Sequence, residues 1–175
     1  MLRRVAAVVI LAAAAGACAS RGAGSRPVPT PSAPAAEGPA APATAAVPLP
    51  EGEALGYRIA ATALEYRGVP YRNGGVTPAG FDCSGFVRYV LARYGREMPR
   101  QTREQFTAGV RVSRDKLRAG DLVFFSTVAP GASHVGIALD DDEFVHAPNS
   151  RGVVRVERLT TEYWRTRFVG ARRVR

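Results

Sequence analysis

A proline-rich stretch, residues 19–50, divides this chain into a part that can bury a core and a part that cannot. The stretch consists mostly of Ala, Pro, Gly, Ser and Thr. Such a composition buries too little apolar surface to offset the loss of chain entropy, and proline-rich chain is semi-extended. We therefore expect a disordered tether, or a tail with no function of its own, over residues 18–52. The aromatic residues lie beyond it, and residues 53–175 form one expected domain, long enough for a modest core.

The first 17 residues have the pattern of a bacterial export signal. Two arginines precede an apolar run that is too short to span a bilayer, and Ala15-Gly16-Ala17 has the small residues of a cleavage site. Cys18 follows directly, as in lipoprotein signals, in which this cysteine is lipidated. We expect a lipoprotein-type signal peptide over residues 1–17 and a lipid anchor on Cys18; a soluble exported protein is the alternative. The two residues after Cys18 include no Asp, which favours the periplasmic face of the outer membrane.

The chain is basic, with 24 Lys and Arg against 15 Asp and Glu and a formal net charge of +9. Such a balance suits nucleic acid, anionic lipid or an acidic polymer. Export argues against nucleic acid, and the basic residues are scattered, as in Arg88, Arg93 and Arg96, rather than collected in one patch with aromatic residues. We expect no nucleic-acid partner and a solvated surface suited to the carboxylates of a cell wall.

Cysteine usage makes Cys83 a candidate for chemistry. Exported proteins commonly pair their cysteines, but this chain has only two, and lipidation of Cys18 leaves Cys83 without a partner. A disulfide between the two would tie the folded domain to the tether. Two interpretations of Cys83 remain, a small buried hydrophobic residue and a nucleophile.

Apolar periodicity and turn residues predict helices first and strands afterwards. The predicted helices are residues 53–66, 82–95 and 102–109, and the predicted strands are residues 121–126, 134–139, 143–147, 153–157 and 168–174. Glycines mark a tight loop over residues 73–80, a capping box begins at Thr102, and Tyr163-Trp164 lies in a short helical or irregular link. The order indicates an α+β fold, with N-terminal helices packed on a five- to six-stranded antiparallel sheet.

Cys83 lies in the first turn of the second predicted helix, directly after the N-cap candidate Asp82. Free backbone N–H groups and the positive end of the helix dipole favour a thiolate at this position. A cysteine that serves only packing is more typical deeper in the apolar stripe of a helix. The position therefore favours the nucleophile.

The chain has two histidines, one at the start of a predicted strand and one at the end of the next. A three-residue turn centred on Asp141 places Gly136 opposite His146, so that His134 and His146 share one face of the hairpin as diagonal neighbours. On one face, His134 can meet a thiol while His146 holds its other ring nitrogen. Half-buried histidines without a catalytic function give the same pattern. A Cys-His-His zinc site is less favoured, because zinc ligands usually come in close pairs; we expect no metal and no cofactor.

Five blocks of sequence, in order, resemble the NlpC-type cell-wall cysteine peptidases, a papain-like bacterial family. Three correspond to the signature blocks of that family: Asp82-Cys83-Ser84-Gly85-Phe86, His134-Val135-Gly136-Ile137 and Phe144-Val145-His146-Ala147. Residues 68–75 and 120–125 resemble the blocks that precede the cysteine and the first histidine. The similarity covers nearly all of residues 55–175 and is strongest to the Spr-type branch of murein endopeptidase lipoproteins. It implies a papain-like, NlpC-type α+β core.

The resemblance also implies roles for individual residues. Cys83 corresponds to the nucleophile, His134 to the base and later acid, and His146 to the group that orients His134. A further set corresponds to positions that hold the oxyanion or bind substrate: Tyr71 as an oxyanion donor, Asp82 and Ser84 beside the cysteine, and Ser133 at the end of a variable loop, residues 126–133, on the rim of the groove.

The function implied by the resemblance is hydrolysis of peptide bonds in peptidoglycan stem peptides or cross-links by a thiol mechanism. The expected bond is the D-Ala–diaminopimelate cross-link; a D-glutamyl–diaminopimelate endopeptidase, an acyltransferase or amidase, and a non-catalytic wall-binding lipoprotein are the alternatives. The expected partners are stem peptides, the membrane through the lipid anchor, and a periplasmic adaptor or regulating protease. We expect a monomer.

Overall fold

A computed structural model describes residues 50–149 and 152–175 of the chain. The predicted signal peptide, the lipidation of Cys18 and nearly all of the tether lie outside these residues. The helices are α1 (Glu51–Glu65), α2 (Cys83–Ala92), α3 (Thr102–Gln105) and α4 (Glu162–Arg165). The strands are β1 (Val76–Thr77), β2 (Gly80–Phe81), β3 (Val110–Val112), β4 (Leu122–Phe125), β5 (His134–Ala138), β6 (Glu143–His146), β7 (Arg155–Arg158) and β8 (Phe168–Arg173).

The main sheet of the described residues is antiparallel and six-stranded, with the strand order β3-β8-β4-β5-β6-β7. The chain first forms α1 and α2 and then winds through the strands, so the predicted α+β class is confirmed. Helix α2 packs on β5 and β6, and α1 packs on α2 and the same two strands. The helices therefore cover the centre of the sheet, where the two histidine strands lie.

Alternation along the strands gives the sheet two buried faces. The helix-side core contains Phe86, Val90, Leu122, Phe124, Val135 and Ile137, together with residues of α1. The opposite core, on the far face, contains Val123, Phe125, Phe144, Leu159, Trp164 and Ala171. Burial of each large side chain of this kind contributes about 1.5–3 kcal/mol. Because both faces are covered, a side chain at the start of β5 is packed against a core whichever face it lies on.

Helix α2 follows its sequence pattern closely. Its apolar residues Phe86, Val87, Val90 and Leu91 are fully buried and recur at the spacing of one helix face. The helix ends at Ala92, three residues before the predicted end, and the turn that follows includes Gly95, whose φ of 66° is one that glycine adopts without strain. The apolar stripe therefore seats the helix on the sheet with its N-terminus towards the start of β5.

Local elements differ from the predictions in several places. The loop predicted over residues 73–80 contains the short hairpin β1–β2, and β3 lies in a segment without a predicted strand. The capping box is shifted by one residue, because Gln101 precedes α3 and its backbone N–H donates to Glu104 Oε2 at 3.4 Å. The link at Trp164 is helical, as α4. Within residues 50–149 and 152–175, no helix has the length and apolar character needed to cross a membrane.

Candidate active site

Cys83 is the first residue of α2, as predicted, and Asp82 is the N-cap. The backbone N–H of Gly85 donates to Asp82 Oδ1 at 2.7 Å, which satisfies one of the free donors of the first turn. A Cβ atom on Gly85 would lie 2.1 Å from the carbonyl oxygen of Gly75, so glycine is required where the preceding loop packs on the helix. This local sequence positions the half-buried cysteine at the start of the helix.

The half-buried Cys83 thiol lies where α2 meets α3 and β5. Its Sγ is 3.6 Å from Thr102 Oγ1. Burial raises the pKa of the thiol; the hydrogen bond with Thr102 opposes this rise, the Asp82 carboxylate adds to it, and the backbone N–H groups of Val135 and Ser84 oppose it. The net pKa is above the ordinary value, so the resting form at neutral pH is the thiol. Burial thus opposes the thiolate that a helix start favours.

The two histidines share one face of the β5–β6 hairpin. The register pairs Ile137 with Val145 and Ala138 with Phe144, which is the register predicted from a turn centred on Asp141. His134 Nε2 and His146 Nδ1 are 2.7 Å apart, and the two rings are nearly perpendicular. This hydrogen bond uses one nitrogen of His134 and leaves Nδ1 as the ring nitrogen that can meet a thiol.

The described contacts bring Cys83 to the residue next to His134, but the thiol's side-chain hydrogen bond is to Thr102 and not to an imidazole. The thiol packs with the helix-side core, whereas His134 contacts the aromatic residues of the opposite core. The thiol approaches the backbone of Val135, the neighbour of His134, at the start of β5. Catalytic hydrogen bonds are often long in a free enzyme and tighten in the substrate complex.

Both imidazoles are buried and neutral. Burial and, to a lesser extent, the neighbouring His146 lower the pKa of His134 to about 3, while Glu157 opposes the change. Burial also lowers the pKa of His146, again opposed by Glu157. Two neutral rings that share one hydrogen bond must divide the roles, one ring donating its N–H and the other accepting.

Two residues beside the histidines were not identified from the sequence. Trp164 stacks on His134 at a centroid distance of 5.6 Å and meets His146 edge-on at 5.0 Å. Its indole N–H donates to Glu157 Oε2 at 2.9 Å, and Glu157 Oε1 lies 3.9 Å from His146 Nε2. His146, followed by Trp164 and Arg155, holds the pKa of Glu157 at about 2, so this carboxylate is ionised. The histidine pair therefore has one fixed negative charge beside it.

A charged cluster lies on the other side of the cysteine. Arg100 forms an ion pair with both oxygens of the buried Asp82 carboxylate and donates to Ser84 Oγ at 2.8 Å. Ser84 in turn donates to Asp82 Oδ1 at 3.2 Å. The two residues expected to contact substrate are thus held by an arginine that the sequence analysis did not single out. The partly exposed guanidinium presents a positive charge near the thiol.

Tyr71 lies near the same cluster. Burial raises the pKa of its hydroxyl, and the charges of Cys83 and Asp82 raise it further, while Arg100 opposes them. The phenol is therefore protonated at neutral pH and is able to donate a hydrogen bond. Its backbone is fixed by the N–H of Tyr71, which donates to the Gly152 carbonyl at 2.8 Å.

Ser133 holds its own loop together. Its Oγ accepts hydrogen bonds from the backbone N–H groups of Thr127, at 2.9 Å, and of Val128 and Ala129, at 3.3 and 3.4 Å. The hydroxyl expected to contact substrate is thus occupied by the backbone of the rim loop. Ser133 shapes the loop that precedes His134.

A cavity of about 240 Å³ opens beside His134. Its lining residues are Thr127, His134, Pro148, Asn149, Arg155, Glu157, Tyr163 and Trp164. Among the described residues, no group of three or more His, Cys, Asp or Glu side chains is arranged to hold a metal ion. What the site does offer is a thiol, a neutral imidazole pair and a cavity beside His134.

Comparison with known proteins identifies the family. The NlpC/P60 family profile matches residues 68–173. The chain is 47% identical over 111 residues to the murein DD-endopeptidase MepS/murein LD-carboxypeptidase of Escherichia coli, covering 63% of this chain and 58% of that protein. It is 39% identical over 135 residues to the γ-DL-glutamyl hydrolase of Bacillus subtilis, covering 75% of this chain and 30% of that one.

Solved structures agree with the sequence match. The P60 domain of an antigen from M. avium subspecies paratuberculosis superposes with a TM-score of 0.60 at 31% identity, covering 72% of this chain and 99% of that one. The chain thus spans little more than half of the E. coli relative but nearly the whole of an isolated P60 domain. The family match includes Cys83, His134 and His146 and covers more than half of the chain, which therefore belongs to the NlpC/P60 family.

Proposed function

We propose that this protein is a cysteine-type peptidoglycan endopeptidase in which Cys83 is the nucleophile, His134 the base and then the acid, and His146 the group that orients His134. The observation that carries the proposal is the buried His134–His146 hydrogen bond of 2.7 Å at the start of β5, next to the strand residue that the Cys83 thiol approaches. The murein DD-endopeptidase name of the E. coli relative supports the substrate class.

The protonation states suggest how the reaction begins. Because the thiol and both imidazoles are neutral at rest, the proton leaves Cys83 as the new bond forms. Nδ1 of His134 accepts this proton while Sγ attacks the carbonyl carbon of the peptide. A resting ion pair between thiolate and imidazolium is unfavourable here, since burial raises the thiol pKa and lowers the histidine pKa.

The intermediate needs donors for its oxyanion. The backbone N–H of Cys83 at the start of α2 and the Tyr71 hydroxyl are the candidates, because the phenol keeps its proton. The protonated His134 then gives its proton to the leaving amine, which yields a thioester on Cys83 and a free amino group. Water, deprotonated by His134, hydrolyses the thioester and restores the thiol.

The bond that we propose is the D-Ala–diaminopimelate cross-link, in keeping with the DD-endopeptidase name of one relative. The γ-DL-glutamyl hydrolase of B. subtilis, at 39% identity, supports D-glutamyl–diaminopimelate cleavage as the second candidate. A non-catalytic wall-binding lipoprotein is a third, but binding alone needs no imidazole pair beside a thiol.

Export and anchoring belong to the same proposal. A lipidated Cys18 would hold the domain at the periplasmic face of the outer membrane, and the tether would let a monomer reach the wall. A periplasmic adaptor or regulating protease is proposed as a further partner.

The test is digestion of isolated peptidoglycan by the mature chain, with products identified by mass spectrometry. Cys18→Ser serves as the matched control for the other cysteine of the chain. We expect this control to convert cross-linked dimers to monomers and a protein that also carries Cys83→Ala to leave them intact. Shortened stem peptides with intact cross-links would indicate the D-glutamyl bond instead. Equal cleavage with and without Cys83 would rule out the proposed nucleophile.

A further inference from the structure

We propose that Glu157 is a positioning residue that fixes the direction of the hydrogen bonds through the two histidines, so that the lone pair of His134 lies on Nδ1, where the thiol proton must go. The inference rests on the proposed function, since a defined lone pair on His134 matters only if His134 acts as a base.

The first observation is an unpaired nitrogen in a fully buried ring. His146 is completely buried, and its Nδ1 is used by His134. Its Nε2 has no hydrogen-bond partner among the described residues. Glu157 Oε1, at 3.9 Å, is the anionic oxygen that faces this nitrogen, about 1 Å beyond hydrogen-bond distance. A buried N–H that is unpaired is destabilising, so a small movement that closes this gap is favourable.

The second observation is that the carboxylate is held in place. Trp164 donates its indole N–H to Glu157 Oε2 at 2.9 Å, and Arg155 Nε donates to Oε1 at 2.6 Å. The same indole stacks on His134 and touches His146 edge-on. Glu157 is therefore held facing His146 at 3.9 Å, and Trp164 links it to both rings.

The tautomers follow from the acceptor character of an ionised carboxylate. A carboxylate only accepts hydrogen bonds, so the proton of neutral His146 is favoured on Nε2, facing Glu157. His146 Nδ1 then carries a lone pair and accepts from the Nε2–H of His134. The lone pair of neutral His134 is thereby placed on Nδ1. The Glu157 carboxylate thus determines which nitrogen of His146 carries the proton and, through it, which ring donates in the His134–His146 hydrogen bond.

The surroundings of His146 make Glu157 the dominant charge. From β5 it is faced by neutral His134, from α4 by the uncharged Trp164 ring, and from β7 by Glu157 and, farther out, by Arg155. Without the carboxylate, only Arg155 would act on Nε2 by its charge. That cation would favour a lone pair on Nε2, which reverses both hydrogen bonds and leaves a proton on His134 Nδ1.

The experiment compares Glu157→Gln with wild type at neutral pH, using the full mature protein labelled with ¹⁵N at histidine. The chain has only two histidines, so the imidazole nitrogens can be assigned with one variant of either ring. In wild type we expect both rings to be protonated at Nε2. In Glu157→Gln the amide can donate as well as accept, and we expect a mixture or a reversal of tautomers. Wild-type rings protonated at Nδ1 would overturn the proposal without any variant.

The kinetic arm uses the same proteins on peptidoglycan. We expect Glu157→Gln to lower kcat roughly tenfold or more with little change in KM, because the ring that meets the thiol is misprotonated in part of the molecules. Glu157→Asp keeps the charge and should recover most of the rate. Glu143→Gln, the same change on the neighbouring strand, is the control and should behave as wild type.

Unchanged kcat and tautomers in Glu157→Gln would overturn the role of Glu157 while leaving the proposed function intact. If wild type does not cleave peptidoglycan, the proposed function fails, and the tautomers alone decide the inference.

Discussion

The two sides of the candidate site differ in burial and in charge. The thiol side, formed by Cys83, Thr102, Asp82 and Arg100, is half-buried, carries an ion pair and lies where two helices begin. The imidazole side consists of the two histidines with Trp164 and Glu157; its rings are buried among aromatic residues and neutral.

The difference shows how a neutral pair can still perform proton transfer. A low histidine pKa keeps the base unprotonated and available at neutral pH, while a raised thiol pKa keeps the nucleophile from reacting before substrate arrives. The charged groups lie beside the reacting residues: the Asp82–Arg100 ion pair is next to the thiol, and the Glu157 carboxylate is next to the histidine pair. Orientation on the imidazole side and electrostatics on the thiol side are thus assigned to different residues, and each can be tested separately.

The largest effect is expected from the imidazole side. His134→Gln keeps a polar side chain of similar size but removes the base, and we expect peptidoglycan cleavage to fall about 10³-fold or more. The rate is measured by release of soluble fragments, with circular dichroism as the check on folding. Cleavage within tenfold of wild type by a folded variant would mean that the imidazole side is only a packing layer.

Acid should weaken the fold through the imidazole side. In the unfolded chain His134 takes up a proton below about pH 6.5, whereas in the folded protein it stays neutral down to about pH 3. The unfolded state therefore binds more protons in this window, and the free energy of unfolding falls as the pH is lowered through it. We expect a loss of roughly 1–2 kcal/mol from His134 between pH 6.5 and 5, measured by urea unfolding.

A variant that lacks the titrating imidazole is the control for this pH dependence. His134→Phe removes the titrating ring, so its stability should depend less steeply on pH between 6.5 and 5 than that of wild type. Glu157, with a pKa lowered from 4.5 to about 2, contributes in the same direction only at lower pH. Identical slopes for both proteins would show that the ring is not kept neutral by burial.

The thiol side should respond in stability. Arg100→Met leaves the Asp82 carboxylate buried without its cation, and we expect the free energy of unfolding to fall by about 1–2 kcal/mol, less than for a fully buried pair because the guanidinium is partly exposed. Arg103→Met, an exposed position on α3, is the matched control and should change it by less than about 0.5 kcal/mol. Equal stability of the two variants would mean that water replaces the arginine fully.

The two sides also differ in how far the sequence predicts them. The histidine hairpin was predictable to the exact pairing of Ile137 with Val145, because one turn and a period of two fix every side chain in it. The position of Cys83 was predictable from its N-cap and apolar stripe. Both depend on residues that are close in the sequence.

Contacts between distant segments could not be derived in this way. Glu157 faces His146 because β7 pairs with β6 in the register that sets His146 opposite Arg155, and no local pattern fixes that register. Arg100 reaches Asp82 across the turn between α2 and α3, and many scattered arginines compete for such a role in the sequence. The raised thiol pKa was missed since burial depends on the whole fold.

The smallest expected effect concerns the hydroxyl beside the thiol. Thr102→Val replaces a hydroxyl by a methyl group of similar size and removes the hydrogen bond that opposes the raised pKa of Cys83. The thiol pKa should rise further, so alkylation by iodoacetamide at pH 8 should slow a few-fold, with stability changed by less than about 1 kcal/mol. Thr107→Val, whose hydroxyl bonds only its own turn, is the control and should react as wild type does. Because alkylation is measured without peptidoglycan, it isolates the thiol side: faster labelling of Thr102→Val would show that Thr102 shields the sulfur rather than stabilising its anion.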